Sequence, residues 1–290
     1  MPDRSIAPGV LHVVATPIGN MEDLTLRALR ILGEVDLVAC EDTRRTGALL
    51  RAHGISTSTT SYFEQNERWK GERILAALRS GRSVALVSDA GTPGLSDPGF
   101  RLVRDARAEG LPVLPVPGPS AAVAALSVSG LPTDRFLFVG FLPARAGPRR
   151  RALEELVSAR PTLVFYESPI RVTRALAAMA EVLGDREAFL CREATKVHEE
   201  YVRGRLLEIA ELLAGRSTVR GEIVLVVAGA TEAAAPAEDE DPAALYSRLT
   251  ADGQATRREA VKEVARRLGL PAREVYRRVL EAEKGTPAAG

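Results

Sequence analysis

Residues 84–99, VALVSDAGTPGLSDPG, decide the fold. Val84, Ala85, Leu86 and Val87 form an apolar run with the character of a buried parallel strand, and Gly91, Pro93 and Gly94 turn the chain out of it. Asp97 and Pro98 then carry a helix-start signal, with Asp97 as N-cap and Pro98 at the first helical position. Strand, small-residue loop, helix is the arrangement in which open α/β sheets bind ligands, at the carboxyl ends of their strands. The stretch has neither G-x-G-x-x-G nor a Walker lysine, and a plain structural turn would keep the same glycines.

The same grammar repeats on either side. Residues 10–15 read as a short buried strand that ends in Thr16-Pro17-Ile18-Gly19-Asn20 before an amphipathic run over 24–32. Residues 36–40 give a second strand, followed by Glu41-Asp42-Thr43-Arg44-Arg45, with Thr43 as the expected cap of a helix through Leu50. A third strand falls within 57–63, and a helix over 67–79 is closed by Gly81. Downstream, a helix over 100–109 leads to a strand over 112–116 that breaks into Pro117-Gly118-Pro119-Ser120-Ala121. This alternation predicts a mostly parallel sheet covered on both faces, with three loops gathered at one edge.

The pattern changes after about residue 130. The first domain is expected to span 1–134 and a second, α+β with antiparallel pairs, 135–230; the segment 142–151, rich in proline, glycine and arginine, reads as flexible. Residues 231–242, TEAAAPAEDEDP, have the composition of a linker. In 243–290 three short helices are expected at 243–251, 256–268 and 271–283, the second opened by a capping box from Thr256 to Glu259 and stopped at Gly269, with Leu268, Leu270, Val275 and Val279 facing a core. Residues 245–284 hold 10 Lys or Arg against 6 Asp or Glu, a charge of +4 in a chain that balances 39 against 38 overall. Such a unit is either a set of solvated helix faces or a nucleic-acid contact.

At 46% apolar and 27% charged, the 290 residues have the composition of a globular protein. Cys40 and Cys191 sit in apolar strand-like runs with no pairing spacing, which fits a reducing compartment. Residues 1–9 include Asp3 and lack a signal-peptide core, and no apolar run reaches membrane-spanning length, so a cytoplasmic protein is expected, neither secreted nor membrane-embedded. His12, His53 and His198 are scattered, and no metal site is expected.

Taken together, TPIGN (16–20), CEDTR (40–44), SDAGTPGLSDPG (88–99), PGPSA (117–121), FVGFLP (138–143), FYESPIR (165–171) and REATKVHEE (192–200) closely resemble the tetrapyrrole methylase family. Within it they resemble the branch that methylates the ribose 2'-hydroxyl of a cytidine in the decoding region of 16S ribosomal RNA, over nearly the whole chain. The resemblance implies an α/β, two-domain class III methyltransferase fold with a C-terminal helix-turn-helix-like unit. It also implies S-adenosyl-L-methionine as cofactor, the small ribosomal subunit as partner, a homodimer, and neither DNA nor membrane contact. Carried over motif by motif, Pro17, Asp89, Ala90, Gly91, Ser120 and Ala121 would hold the cofactor, with Tyr166 and Ala228 as weaker matches. Relatives that methylate tetrapyrroles carry a more glycine-rich first loop and an acidic glycine motif in the second, and this sequence departs from both.

A ribose hydroxyl is a poor nucleophile until its proton is removed. Glu41, Glu167 and Lys196 are the expected catalytic groups, with Asp42, Glu193 and His198 as alternatives, and Arg44 and Arg171 are expected to bind substrate. Glu41, Asp42, Arg44 and Arg45 would equally form a surface ion-pair group. Two rival functions remain at this stage: a small-molecule tetrapyrrole methylase, and an RNA-binding regulator without turnover.

Overall fold

The computed structural model describes residues 7–231, 241–251, 256–268 and 270–285, and it comprises two compact units, residues 1–229 and 230–290. In the first unit β1 (Leu11–Val14), α1 (Leu26–Glu34), β2 (Leu37–Cys40), α2 (Thr43–Ala52), β3 (Thr59–Ser61), α3 (Glu67–Arg79), β4 (Val84–Val87), α4 (Phe100–Ala108) and β5 (Val113–Val116) alternate, followed by α5 (Ala121–Val128). The strands pair in the order β3-β2-β4-β1-β5, all parallel. Period-two alternation divides β4 between two cores: Ala85 and Val87 pack under α1 and α2 with Leu32 and Leu50, while Val84 and Leu86 pack under α3 and α4 with Ile74 and Leu102. Burial on both faces is why the strand reads as an unbroken apolar run.

Two expected caps fall elsewhere. Asp42, not Thr43, caps α2: its backbone is extended and its carboxylate accepts from Arg44 N–H at 2.8 Å, whereas Thr43 is already helical. Asp97 and Pro98 precede α4 without opening it; Gly99, at φ 140°, is the N-cap residue and the helix begins at Phe100. A glycine that turns the backbone itself releases the Asp97 carboxylate for another use.

The second sheet is built from β6 (Phe136–Phe141), α6 (Ala146–Glu154), β7 (Thr162–Glu167), α7 (Val172–Leu183), β8 (Glu187–Arg192), β9 (Glu200–Arg205), α8 (Leu206–Ala214) and β10 (Ile223–Val227). Its order is β6-β7-β10-β8-β9, parallel between β6 and β7 and antiparallel elsewhere. The segment expected to be flexible is half helix: α6 is held by buried Leu153 and by Arg150, which pairs with Glu154 at 3.0 Å and Glu181 at 2.6 Å. In β6 the register slips between Phe138 and Gly140, a bulge that leaves Val139 unmatched. Residues three apart on a regular strand face opposite ways; with the bulge, Phe138 and Phe141 both lie against Tyr166, at 5.0 and 5.6 Å between ring centroids. The face carrying Val164 and Val224 is covered by α5, the helix that follows the last strand of the first sheet.

The second unit holds α9 (Pro242–Ala251), α10 (Arg257–Leu268) and α11 (Ala272–Gly285) around Leu245, Tyr246, Ala260, Val264, Val275 and Val279, with Leu268 and Leu270 at the edge of that core. The expected capping box is present: Thr256 N–H donates to Glu259 Oε2 at 2.9 Å, and Glu259 N–H to Thr256 Oγ1 at 3.4 Å. The acidic segment over 232–240 and the expected stop at Gly269 lie outside the described residues. Among the described residues no helix is long and apolar enough to cross a membrane.

His12 of β1 is buried, and neither ring nitrogen has a hydrogen-bond partner. Burial, then the charges of Arg27 and Arg30, lower its pKa, so the native state holds a neutral imidazole. The unfolded chain takes up this proton below about pH 6.5, so the fold loses stability as pH falls through that value, by up to about 1.4 kcal/mol per pH unit. Urea unfolding at pH values between about 7.5 and 5.5 is expected to show a steeper loss for the wild type than for His12→Leu. Parallel profiles for the two proteins would remove His12 as the cause.

Candidate active site

The loops after β1, β4 and β5 are sewn together by backbone hydrogen bonds. Thr16 N–H donates to the Gly91 carbonyl at 2.9 Å and Gly91 N–H donates back to the Thr16 carbonyl at 3.0 Å, a one-residue antiparallel bridge at the edge of an all-parallel sheet. The Thr16 hydroxyl donates to the Ser88 carbonyl at 3.0 Å, and the Thr92 hydroxyl to the Pro119 carbonyl at 3.1 Å. Gly91 holds φ at +81°, where a residue with a side chain is strained.

From the second sheet, the segment 193–199 closes over the first loop. Asn20 N–H donates to Thr195 Oγ1 at 3.1 Å, and a side chain added at Gly19 would collide with Lys196 and Thr195. Glu193 and Thr195 hold φ at +53° and +65°, conformations that residues with side chains adopt mainly where surrounding structure enforces them. Lys196 Nζ lies 2.7 Å from Glu193 and 3.3 Å from Glu222, Glu222 N–H donates to Glu193 Oε1 at 2.9 Å, and Thr195 N–H donates to Glu199 Oε2 at 2.8 Å.

Between these loops and the ends of β7, β8 and β10 lies a cavity of about 350 Å³, a size suited to a small molecule. Ile18, Ala90, Gly91, Ser120 and Ala121 line it from the first sheet, and Tyr166, Cys191, Ile223 and Val224 from the second. Small side chains bring backbone amides and carbonyls within reach of a ligand. Ser120 Oγ is buried in this wall with no hydrogen bond of ordinary geometry, and its polar neighbour is the Tyr166 hydroxyl, on another residue that lines the cavity. Leu95 and half-exposed Phe141 line the cavity as well, and Tyr166 is buried enough that its pKa is raised.

Charge in the site is unevenly neutralised. Asp89 accepts from Asp42 N–H at 3.1 Å and pairs with Arg45 at 3.1 Å, tying β4 to the start of α2. Glu167 is buried, pairs with Arg171 at 2.7 Å and accepts from Ser168 N–H at 2.7 Å. Asp97 has acidic neighbours instead: burial first, then the charges of Glu41, Asp89 and Glu222, push its pKa up to about 6, with the Ser88 hydroxyl offsetting part of the rise. Glu41 is also raised, by burial first and then by Asp89.

Of the residues singled out in the sequence, Ala90, Gly91, Ser120, Ala121, Tyr166 and Glu167 line the cavity. Pro17 sits between Thr16 of the backbone bridge and cavity-lining Ile18, and Asp89 lies behind the wall as a tie between loops. Ala228 follows β10 at the end away from the cavity, which meets that strand at Ile223 and Val224. Glu41 is partly buried at the end of β2, Lys196 belongs to the clamp over Gly19, Arg44 is exposed and pairs with Asp42 at 2.8 Å, and His198 is exposed. Among the cavity residues that were not anticipated, Asp97 was read as a cap, and Phe141 owes its position to the bulge. The phenylalanine-rich FVGFLP motif and the carboxylate in SDPG were the available signals.

An open parallel sheet and a mixed sheet closing strand-end loops around such a cavity define a two-domain methyltransferase of class III architecture. The family profile described as Tetrapyrrole (Corrin/Porphyrin) Methylases matches residues 10–210, and the chain belongs to that family, whose methyltransferases use S-adenosylmethionine. Ribosomal RNA small subunit methyltransferase I of Mesorhizobium japonicum is 48% identical over 282 residues, covering 97% of this chain and 94% of that protein. Its counterpart in Thermotoga maritima is 46% identical over 221 residues, covering 76% of this chain and 99% of that protein. Among solved structures, uroporphyrin-III-C-methyltransferase from Thermus thermophilus aligns with a TM-score of 0.55 at 25% identity, over 76% of this chain and 94% of that one.

The wall of small residues, the buried hydroxyls of Ser120 and Tyr166 and the cavity's size fit that cofactor. Gly91→Val places a branched side chain at φ +81° and is expected to cost about 1–3 kcal/mol locally and to move the loop. Titration calorimetry with S-adenosylhomocysteine should then register at least a tenfold loss of affinity in a folded protein. Unchanged affinity would place the cofactor away from this loop.

Proposed function

We propose that this chain methylates the 2'-hydroxyl of a cytidine in the 16S RNA of the small ribosomal subunit, using S-adenosylmethionine, as a cytoplasmic homodimer. The observation that carries the reading is the end-to-end likeness, helical unit included, to a relative named for small-subunit ribosomal RNA methylation. The departures of the first two loops from the tetrapyrrole-methylating pattern support it, as does the half-exposed Phe141, an aromatic surface on which a splayed base can stack.

The cofactor supplies a methyl group already activated on a sulfonium, so the protein's task is alignment and exclusion of water. Ala90, Gly91, Ser120, Ala121 and Tyr166 form the wall that would hold it, with Pro17 shaping the first loop and Asp89 fixing the second to α2. Glu167, held by Arg171, keeps the end of β7 in place beside Tyr166. Lys196 keeps the segment 193–199 closed over Gly19. Exposed Arg44 is available to an RNA phosphate, and the basic helical unit adds sequence-independent affinity for RNA.

Incubation with labelled S-adenosylmethionine is expected to place one methyl group on small ribosomal subunits, in an alkali-resistant ribose linkage, and none on free tetrapyrroles. A subunit carrying 2'-deoxycytidine at that position should accept nothing; label that persists there on a base atom would refute ribose methylation.

The Thermotoga relative is matched almost entirely by about three quarters of this chain, and residues 230–290 form a unit with its own core. Deleting 230–290 is therefore expected to leave S-adenosylhomocysteine binding intact while raising KM for the subunit about tenfold, a loss of about 1.4 kcal/mol. An unchanged KM would make the helical unit irrelevant to RNA binding.

A further inference from the structure

Ribose methylation needs a group to receive the hydroxyl proton, and the cavity wall carries three carboxylates: Asp97, Glu167 and Glu222. Two of them already face cations. Glu167 is closed off by the Arg171 guanidinium at 2.7 Å and by Ser168 N–H, and Glu222 lies 3.3 Å from Lys196 Nζ. A carboxylate whose lone pairs are taken by a guanidinium is a weak proton acceptor. Asp97 forms no ion pair among the described residues, and the charges that bear on it come from Glu41 at the end of β2, Asp89 at the end of β4 and Glu222 before β10.

The backbone holds this carboxylate in place. Ser96 carries a positive φ of 67°, and its Oγ lies 3.0 Å from where a side chain at Gly140 would begin, so the glycine of the β6 bulge receives the loop that presents Asp97. Gly99 takes the N-cap position of α4, which leaves the Asp97 side chain out of the helix start. The same bulge brings Phe141 to the cavity beside it.

We propose that Asp97 is the general base of the reaction, accepting the proton of the ribose 2'-hydroxyl. This rests on the reading of the chain as a ribose methyltransferase. The hydroxyl oxygen forms its bond to the methyl carbon while the carbon–sulfur bond breaks, the electron pair stays on sulfur, and the proton passes to the Asp97 carboxylate. Burial and acidic neighbours raise the proton affinity of Asp97 enough for transfer while leaving it ionised at neutral pH, a balance that favours general-base catalysis. Glu41 and Asp89 act through their charge on Asp97, and Lys196 acts as a positioning residue.

The test compares wild type, Asp97→Asn, Asp97→Glu and Glu41→Gln on small ribosomal subunits in single turnover across pH, with S-adenosylhomocysteine affinity and the carboxyl carbon resonances of labelled aspartate measured on the same proteins. For the wild type, the rate should fall tenfold per pH unit below about 6, and one aspartate resonance that Asp97→Asn removes should titrate at the same midpoint. Asp97→Asn should lose about a hundredfold to ten-thousandfold in rate, keep its affinity for S-adenosylhomocysteine and lose the acidic limb; Asp97→Glu should recover part of the rate. Glu41→Gln should keep a substantial rate and move the limb to lower pH. An Asp97→Asn rate within threefold of wild type overturns the proposal, as does a loss of rate matched by an equal loss of cofactor-product affinity. Absence of transfer by the wild type overturns the functional reading itself, and the proposal with it.

Discussion

The site depends on the reciprocal backbone pair between Thr16 and Gly91. Parallel strands deliver their loops to one edge of a sheet but provide no hydrogen bonds between those loops, which must be joined by other means or remain separate. The antiparallel bridge supplies that join at one point, and the hydroxyls of Thr16 and Thr92 extend it to Ser88 and Pro119. It requires a residue at positive φ, so the glycine in the middle of the loop is a geometric necessity and only then a means of admitting a ligand.

Around this frame, charge is used in two ways. Most acids near the cavity are paired: Asp89 with Arg45, Glu167 with Arg171, and Glu193 and Glu222 with Lys196. These pairs hold loop ends and strained backbone in place. The Asp97 carboxyl is pushed up by burial first and then by the remaining negative charges, and Glu41 is raised by burial and by Asp89. Arranging carboxylates so that some are satisfied and one is kept basic separates structural from chemical roles within one small volume.

Much of the fold was legible in the sequence because its strands are short apolar runs bounded by turn residues and its helices keep a clear apolar period. The helix over 67–79 is a case where the two coincide residue for residue. The start of helix α6 was read as flexible because this arginine-rich helix, with one fully buried residue, Leu153, shows no apolar stripe; i,i+4 ion pairing and a single anchor make it a helix. Asp97 was read as a cap because its neighbour Pro98 fits a first turn, and the φ of Gly99 that displaces both leaves no mark on the sequence. Phe141 was missed for a related reason: alternation assigns it the opposite face from Phe138, and an unmatched Val139 reverses that. The Glu167–Arg171 pair lay in plain view in FYESPIR, but i,i+4 spacing predicts a contact only within a helix, and this one spans the turn from β7 to α7.

The strand order of the second sheet has a consequence for how the chain is made. β10, the last strand among the described residues, lies at the centre of that sheet between β7 and β8. Until the ribosome has released it, β6 and β7 on one side and β8 and β9 on the other are separate two-stranded pieces whose inner edges, Leu163 to Phe165 and Ala188 to Leu190, are apolar and unpaired. The first sheet can close as soon as β5 emerges, whereas the second waits for residue 227. Synthesis therefore passes through a stage in which half of the unit is complete and half exposes two sticky edges, and that interval, rather than the stability of the finished fold, is where aggregation and chaperone capture compete with folding.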